Sequence, residues 1–174
     1  MVIDELARRH QLEFRTAPSD ALIATLRTLG NGALVAKPLA WMNRSGEVVA
    51  GLARYYRIEL ADVLVVIDDI NLPLGRLRAR ARGSAGGHNG LKSVIEQLGT
   101  EEVARLRLGV GRGDPRRDLA DHVLATFDDD EQEQVASLAG RAADACEMFV
   151  TEGVEPVMNR FNKQESEDRS QESE

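Results

Sequence analysis

Apolar residues along this chain recur with two different periods, and the alternation between them predicts a layered α/β protein. Val2-Ile3-Asp4-Glu5-Leu6-Ala7-Arg8-Arg9 has helical periodicity. No capping residue and no first turn precede it, so the sequence opens as though already inside an element. Residues 21–28 and 32–36 flank Gly30-Asn31-Gly32, a turn signal that makes the two arms a β-hairpin. Leu22, Leu26 and Leu29 also fit a helical period, which leaves the first arm open to either form. Residues 37–46 read as a loop in which Asn43 or Ser45 can cap a helix over 47–56. Val63-Leu64-Val65-Val66-Ile67 is an unbroken apolar run, the pattern of a strand buried on both faces, and it ends at Asp68-Asp69.

A strand with alternating arginines then spans 76–82, followed by a glycine-rich loop and a helix over 91–98 closed by Gly99. Residues 106–111 predict another strand, Gly113-Asp114-Pro115 a turn, 128–150 a long helix with acids at its start, and 155–161 a short last helix. From Asn162 onward the chain is polar, charged and nearly without apolar residues. The expectation is one α/β domain over residues 1–162, with a central mixed sheet flanked by helices, and a disordered acidic tail over 163–174.

A length of 174 residues suffices for one domain with a substantial core, and 43% hydrophobic with 29% charged residues is the composition of a soluble globular protein. No apolar run approaches the roughly 20 residues of a membrane span, and no signal-peptide pattern opens the chain. The single cysteine, Cys146, falls on the apolar face of a helical pattern. It reads as a buried thiol in a protein of the reducing cytoplasm. Cys146, His10, His88 and His122 have no ligand spacing, so neither a metal nor another cofactor is expected. Net charge is −7, which weighs against a polyanionic partner until its distribution is considered. Residues 1–75 carry −1, residues 76–117 carry +6, and residues 118–174 carry −12. The local field of the middle segment, rather than the total, decides where an anion docks.

That middle segment holds the candidate chemistry. Arg76, Arg78, Arg80 and Arg82 recur at a period of two, on one face of a strand. Four like charges in line need solvent or an anion to relieve their repulsion. They lead into Gly83-Ser84-Ala85-Gly86-Gly87-His88-Asn89-Gly90, a glycine-rich helix start suited to phosphate. The loop lacks the Lys-Ser/Thr ending of a P-loop and the dinucleotide spacing. Gly109-Val110-Gly111-Arg112-Gly113 resembles a nucleotide loop superficially but has no good helix behind it. Asp68 ends a strand, where ligands gather in α/β sheets; it can orient a histidine or polarise a water, and it serves equally well as a turn residue. Asp69 is the lesser candidate. Asn43 can hold a substrate carbonyl or cap a helix. Trp41 can stack on a base or plug the core edge. His88 is open to two readings, a base or a side chain packed on its own helix, while Asn89 and, one turn on, Lys92 can face the same anion.

Four segments taken together resemble bacterial peptidyl-tRNA hydrolase. They are Lys37-Pro38 with Trp41-Met42-Asn43-Arg44-Ser45-Gly46; Val66-Ile67-Asp68-Asp69-Ile70-Asn71-Leu72-Pro73-Leu74-Gly75; the run Gly83 through Lys92; and Arg105-Leu106-Arg107-Leu108-Gly109-Val110-Gly111. The resemblance implies a monomeric, metal-independent cytoplasmic enzyme that hydrolyses the ester between a peptide and the 3′ ribose of tRNA. It implies that Asn43 binds the peptide end, that Asp68 orients the catalytic histidine, and that Asn89 positions substrate and water. Trp41, Met42, Gly86, Gly87 and His88 are expected to line the substrate site, and Arg80, Lys92 and Arg107 to clamp tRNA phosphate.

One part of the family pattern is missing. A first core strand, an Asn-Pro-Gly turn and an Arg-His-Asn triplet, whose histidine is the general base, precede the first helix in the family and do not occur here. His10 and His88 do not match that histidine. Either the written start is an internal methionine, which the uncapped opening helix favours, or the short form holds RNA with impaired cleavage. Two rivals stay open: a small-anion or nucleotide-binding α/β protein, and an RNA-binding splicing cofactor on the same fold.

Overall fold

The computed structural model describes residues 1–112 and 129–162. Helix α1, Val2–His10, turns Val2 and Leu6 inward and ends at Gln11 in the left-handed region, φ 51°. Its outer face is tied by Glu5, which accepts from Arg8 and Arg9 within the helix. The N-terminal ammonium pairs with Asp4, and Lys37 reaches the same carboxylate.

Strands β1 (Arg15–Thr16), β2 (Ala21–Leu26) and β3 (Ala33–Pro38) form an antiparallel meander in that order. The hairpin turn carries glycines at positive φ, Gly30 at 53° and Gly32 at 88°, and the first arm is a strand along its whole length. The helical period of Leu22, Leu26 and Leu29 therefore loses to strand pairing. β3 pairs with β2 along its whole length, from Ala21 opposite Pro38 to Leu26 opposite Ala33. Ala21 and Ile23 then pack against Val48 and Leu52 of α2, Ser45–Tyr56.

Strands β4 (Leu64–Asp69), β5 (Leu77–Arg80) and β6 (Ala104–Gly109) form a mixed sheet with β6 in the centre, parallel to β4 and antiparallel to β5. Side-chain alternation divides β6. Leu106 and Leu108 face a core of Leu77, Ala79, Val2, Leu6, Leu138, Ala142, Val157 and Phe161. That core is closed by α4 (Asp129–Glu152) and α5 (Val154–Phe161), which break from one another at Gly153, φ 83°. Cys146 is buried in it, as its helical position implies. α3 (Asn89–Leu98) packs beside α2 and ends at left-handed Gly99, as expected.

Two expectations need correction. The run 63–67 is not fully buried on both faces: Leu64, Val65 and Val66 are half-buried, and β4, paired with β6 alone, is an edge among the described strands. Neither Asn43 nor Ser45 caps α2. The amide of Gly46 donates instead to Ser93 Oγ of α3 at 3.0 Å, so a neighbouring helix supplies the acceptor. Asn162, at the boundary of the polar tail, is structural. Its Oδ1 accepts from the Ala79 amide at 2.8 Å and its Nδ2 donates to the Ala79 carbonyl at 2.9 Å. One carboxamide thus pairs with the outer edge of β5 as a further strand would. The expected turn at 113–115, the first residue of the long helix and the tail 163–174 lie outside the described residues.

Asn162→Ala is expected to leave both Ala79 groups without their partner and to cost about 1–3 kcal/mol, measured by urea unfolding. An unchanged midpoint would show that the two bonds contribute nothing to the fold.

Candidate active site

The site forms where the C-terminal end of β4 meets the N-terminal end of α3. His88 is the N-cap of α3, and its Nδ1 accepts from the Leu91 amide at 3.1 Å. With Nδ1 an acceptor, the proton of the neutral ring lies on Nε2. That atom faces Asp68 Oδ1 at 3.4 Å. The pair is partly open to solvent, His88 at 16% and Asp68 at 36% side-chain exposure. The His88 imidazole holds the Asp68 carboxyl below the usual carboxylate range, against the opposing effect of burial.

Asp69, one residue on, points to the other face of the strand and has a different task. Its Oδ2 accepts from Arg107 Nη1 at 2.9 Å and its Oδ1 from the Asn71 amide at 2.8 Å. Of the two adjacent carboxylates, one is partly open to solvent and one is fixed inside the turn that follows β4.

A 3₁₀ turn, Met42–Arg44, packs against α3 and carries Asn43 on its exposed side. Gly90 is the contact point. A Cβ there would come within 3.0 Å of both Met42 Cγ and His88 Cε1, so bare backbone lets these two side chains flank the helix start. Further along, a Cβ on Gly46 would fall 2.0 Å from the Ser93 carbonyl oxygen, which makes the approach of α2 to α3 a glycine contact. Trp41 does not plug the core edge: it is 82% exposed, beside exposed Met42.

The glycine-rich loop is held from beneath by two arginines of β6. Arg105, 1% exposed, donates to four carbonyls: Val103 at 2.8 Å, Gly83 at 2.7 Å, Ser84 at 3.1 Å and Glu101 at 3.1 Å. Arg107 donates to Ala85 at 3.1 Å and Ser84 at 3.5 Å besides Asp69. The carbonyls of residues 83, 84 and 85 therefore all point toward the arginines. In a trans peptide the N–H lies opposite the C=O, and no cis bond occurs here. The amides of Ser84, Ala85 and Gly86 consequently point the other way, outward. Gly86 at φ 59° and Gly87 at 83° then turn the chain so that the His88 amide returns to the Ala85 carbonyl at 3.2 Å.

A family model described as peptidyl-tRNA hydrolase matches residues 1–169. The chain belongs to the peptidyl-tRNA hydrolase family. It is 48% identical over 164 residues to the peptidyl-tRNA hydrolase of Symbiobacterium thermophilum, covering 93% of this chain and 87% of that one. It is 44% identical over 162 residues to that of Geobacillus thermodenitrificans, with the same coverage. The crystal structure of peptidyl-tRNA hydrolase from Acinetobacter baumannii superposes with a TM-score of 0.84 at 25% identity, covering 92% of this chain and 82% of the other.

Within this peptidyl-tRNA hydrolase fold, the elements bearing Asn43, Asp68, His88 and Asn89 meet at one end of α3. Arg80 and Lys92 are exposed, Lys92 3.8 Å from Glu96. Arg107, expected among the phosphate ligands, is directed inward onto Asp69 and the loop carbonyls. Sequence reasoning gave Arg105 no role, although its alternation with Leu106 on a strand that also bears Arg107 was visible. No helix among the described residues is long and apolar enough to cross a membrane.

His88→Asn retains a capping side chain for α3 and removes the imidazole from Asp68. Burial then acts unopposed by the imidazole, and the Asp68 carboxyl is expected to titrate higher in carboxylate NMR. Ionised Asp68 stabilises the fold above its unfolded pKa, and that contribution is lost as pH falls through the lowered folded value. In the variant the gap between the two values narrows, so that contribution should shrink or vanish. An unmoved or lower Asp68 titration would show that His88 is not the cause of the shift.

Proposed function

We propose that this chain hydrolyses the ester joining a peptide to the 3′ ribose of tRNA, returning the tRNA to use. The observation that carries the reading is the meeting of Asp68 and His88 at the start of α3, against the turn that bears Asn43. Two carboxamides and one carboxylate on adjoining elements suit an acyl ester. Asn43 holds the peptide end, Asn89 positions water and substrate, and either amide can donate to the oxyanion that develops at the carbonyl. Trp41 and Met42 supply an exposed apolar wall for the acyl or nucleoside part, and Gly86, Gly87 and His88 border it. Arg80 and Lys92 are exposed cations available to tRNA phosphate.

Asp68 acts on an imidazole that takes the proton from the attacking water, fixing its tautomer and stabilising the imidazolium. His88 does not suit the base role, since Nδ1 already accepts from Leu91 and Nε2 faces Asp68. By the family resemblance the proton-accepting imidazole belongs to an Arg-His-Asn triplet, which does not occur among these 174 residues. The family resemblance implies a monomer, and work in the reducing cytoplasm fits a chain whose single cysteine is a buried free thiol. Burial pushes that thiol up to about 12, too high for nucleophilic work.

In a protein that combines this chain with that triplet, Asp68→Asn is expected to lower kcat/KM by about 10²–10⁴-fold. Its Kd for tRNA should hardly move. Equal losses in turnover and in binding would contradict the assigned role. The 174-residue chain itself should bind tRNA with strong salt dependence. Arg80→Ala should weaken binding across tRNA species and reduce the salt slope by about one. Tight binding of free nucleotide with a shallow slope would favour a nucleotide-binding protein instead.

A further inference from the structure

We propose that Arg105 is a positioning residue for the substrate-facing glycine loop, acting on bound RNA through the loop backbone and never touching it. The proposal rests on the tRNA reading of the site and extends it to a residue outside the crevice. Arg105 is among the largest fully buried side chains of the protein. Its guanidinium acceptors are backbone carbonyls, and among the described residues no carboxylate lies within ion-pair distance of it. Burial pushes its pKa below the ordinary arginine value, with neighbouring Arg107 adding to the effect and Glu101 opposing it. A cation so placed is costly unless its donors are used in full.

They are used to join two separate segments. Two of the carbonyls, Gly83 and Ser84, belong to the loop, and two, Glu101 and Val103, to the approach to β6. The Gly83 amide completes the junction by donating to the Glu101 carbonyl at 3.1 Å. The loop carbonyls cannot rotate outward without stripping the guanidinium of acceptors. The amides of Ser84 and Ala85 therefore stay directed to solvent, joined by that of Gly86, whose direction Arg107 sets through the Ala85 carbonyl, and successive backbone N–H groups suit the oxygens of a phosphate. A lysine at the same position would keep the charge, but its single nitrogen cannot span four carbonyls in a fixed plane.

The test compares Arg105→Lys, and Arg105→Gln as a variant without the buried charge, with the unmodified 174-residue chain. Amide exchange of Gly83 and His88, whose bonds report loop order, should accelerate at least about tenfold, while Leu106 and Leu108 keep their protection. Affinity for tRNA should fall about tenfold with the salt slope unchanged, unlike Arg80→Ala. In the unmodified chain, inorganic phosphate should shift the Ser84, Ala85 and Gly86 amide resonances saturably, where chloride at equal ionic strength does not. Those shifts should shrink in Arg105→Lys.

The proposal is overturned by any of four results. These are an Arg105→Lys chain with unmodified loop exchange and affinity, a salt slope reduced by one, exchange accelerated evenly through β6, or no phosphate-dependent shift at the three amides. A chain whose loop amides take phosphate in an Arg105-dependent way but which fails to bind tRNA would sink the functional reading and leave the positioning role intact.

Discussion

The site depends on two guanidinium groups set side by side on the central strand. Arg105 and Arg107 are two residues apart on β6, hence on one face, and both are directed into the protein beneath the glycine-rich loop. Two neighbouring cations in a poorly solvated place repel, and the arrangement holds because each has its own set of acceptors. Arg107 has the Asp69 carboxylate at 2.9 Å. Arg105 has four carbonyl dipoles. Removing either set would leave a buried charge without compensation, which costs far more than a surface ion pair is worth. Three consecutive carbonyls are thereby fixed, the direction of the following amides is set, and His88 is delivered to the cap of α3 where it meets Asp68.

The adjacent acids show how a two-residue motif divides its work. Strand alternation sends Asp68 and Asp69 to opposite faces. The inner one binds Arg107 and the turn after β4, and the outer one meets an imidazole. His88 is similarly divided between its two nitrogens, one holding the helix start and one facing the carboxylate. A histidine so engaged orients its surroundings and has no lone pair left for a proton from water.

Much of the fold was legible because hydrophobic period and turn chemistry agreed. Gly30-Asn31-Gly32 implied the hairpin, Gly99 ended α3, and residues 106–111 implied a strand where β6 runs. What was not legible depended on partners distant in sequence. The unbroken run before Asp68 implied burial on two sides, but burial belongs to neighbours, and β4 has a described strand on one side only. The start of α2 lacked a local cap because Ser93, 47 residues on, provides the acceptor. In the site, Asp68, Asn43 and Asn89 could be singled out by residue type and place. Arg105 and Arg107 could not be told apart from exposed Arg80 of β5: register puts Arg80 opposite Arg105 on one face, and what differs is the glycine loop lying over β6, which alternation does not reveal.

That ambiguity bears on how a chain of net charge −7 can meet RNA. The excess of +6 over residues 76–117 is not a uniform basic surface. Arg105 and Arg107 are internal, and Arg82 lies 3.8 Å from Glu102. Arg80 and Lys92 are exposed. The internal cations still contribute to the field, because charge held away from water is screened less than charge on the surface. One segment can therefore attract a polyanion with a few exposed side chains, while its buried arginines fix the backbone that receives it. Affinity from the first group should vary with salt, and geometry from the second should not. This separation lets a predominantly acidic protein bind RNA at one edge without presenting a broadly cationic face.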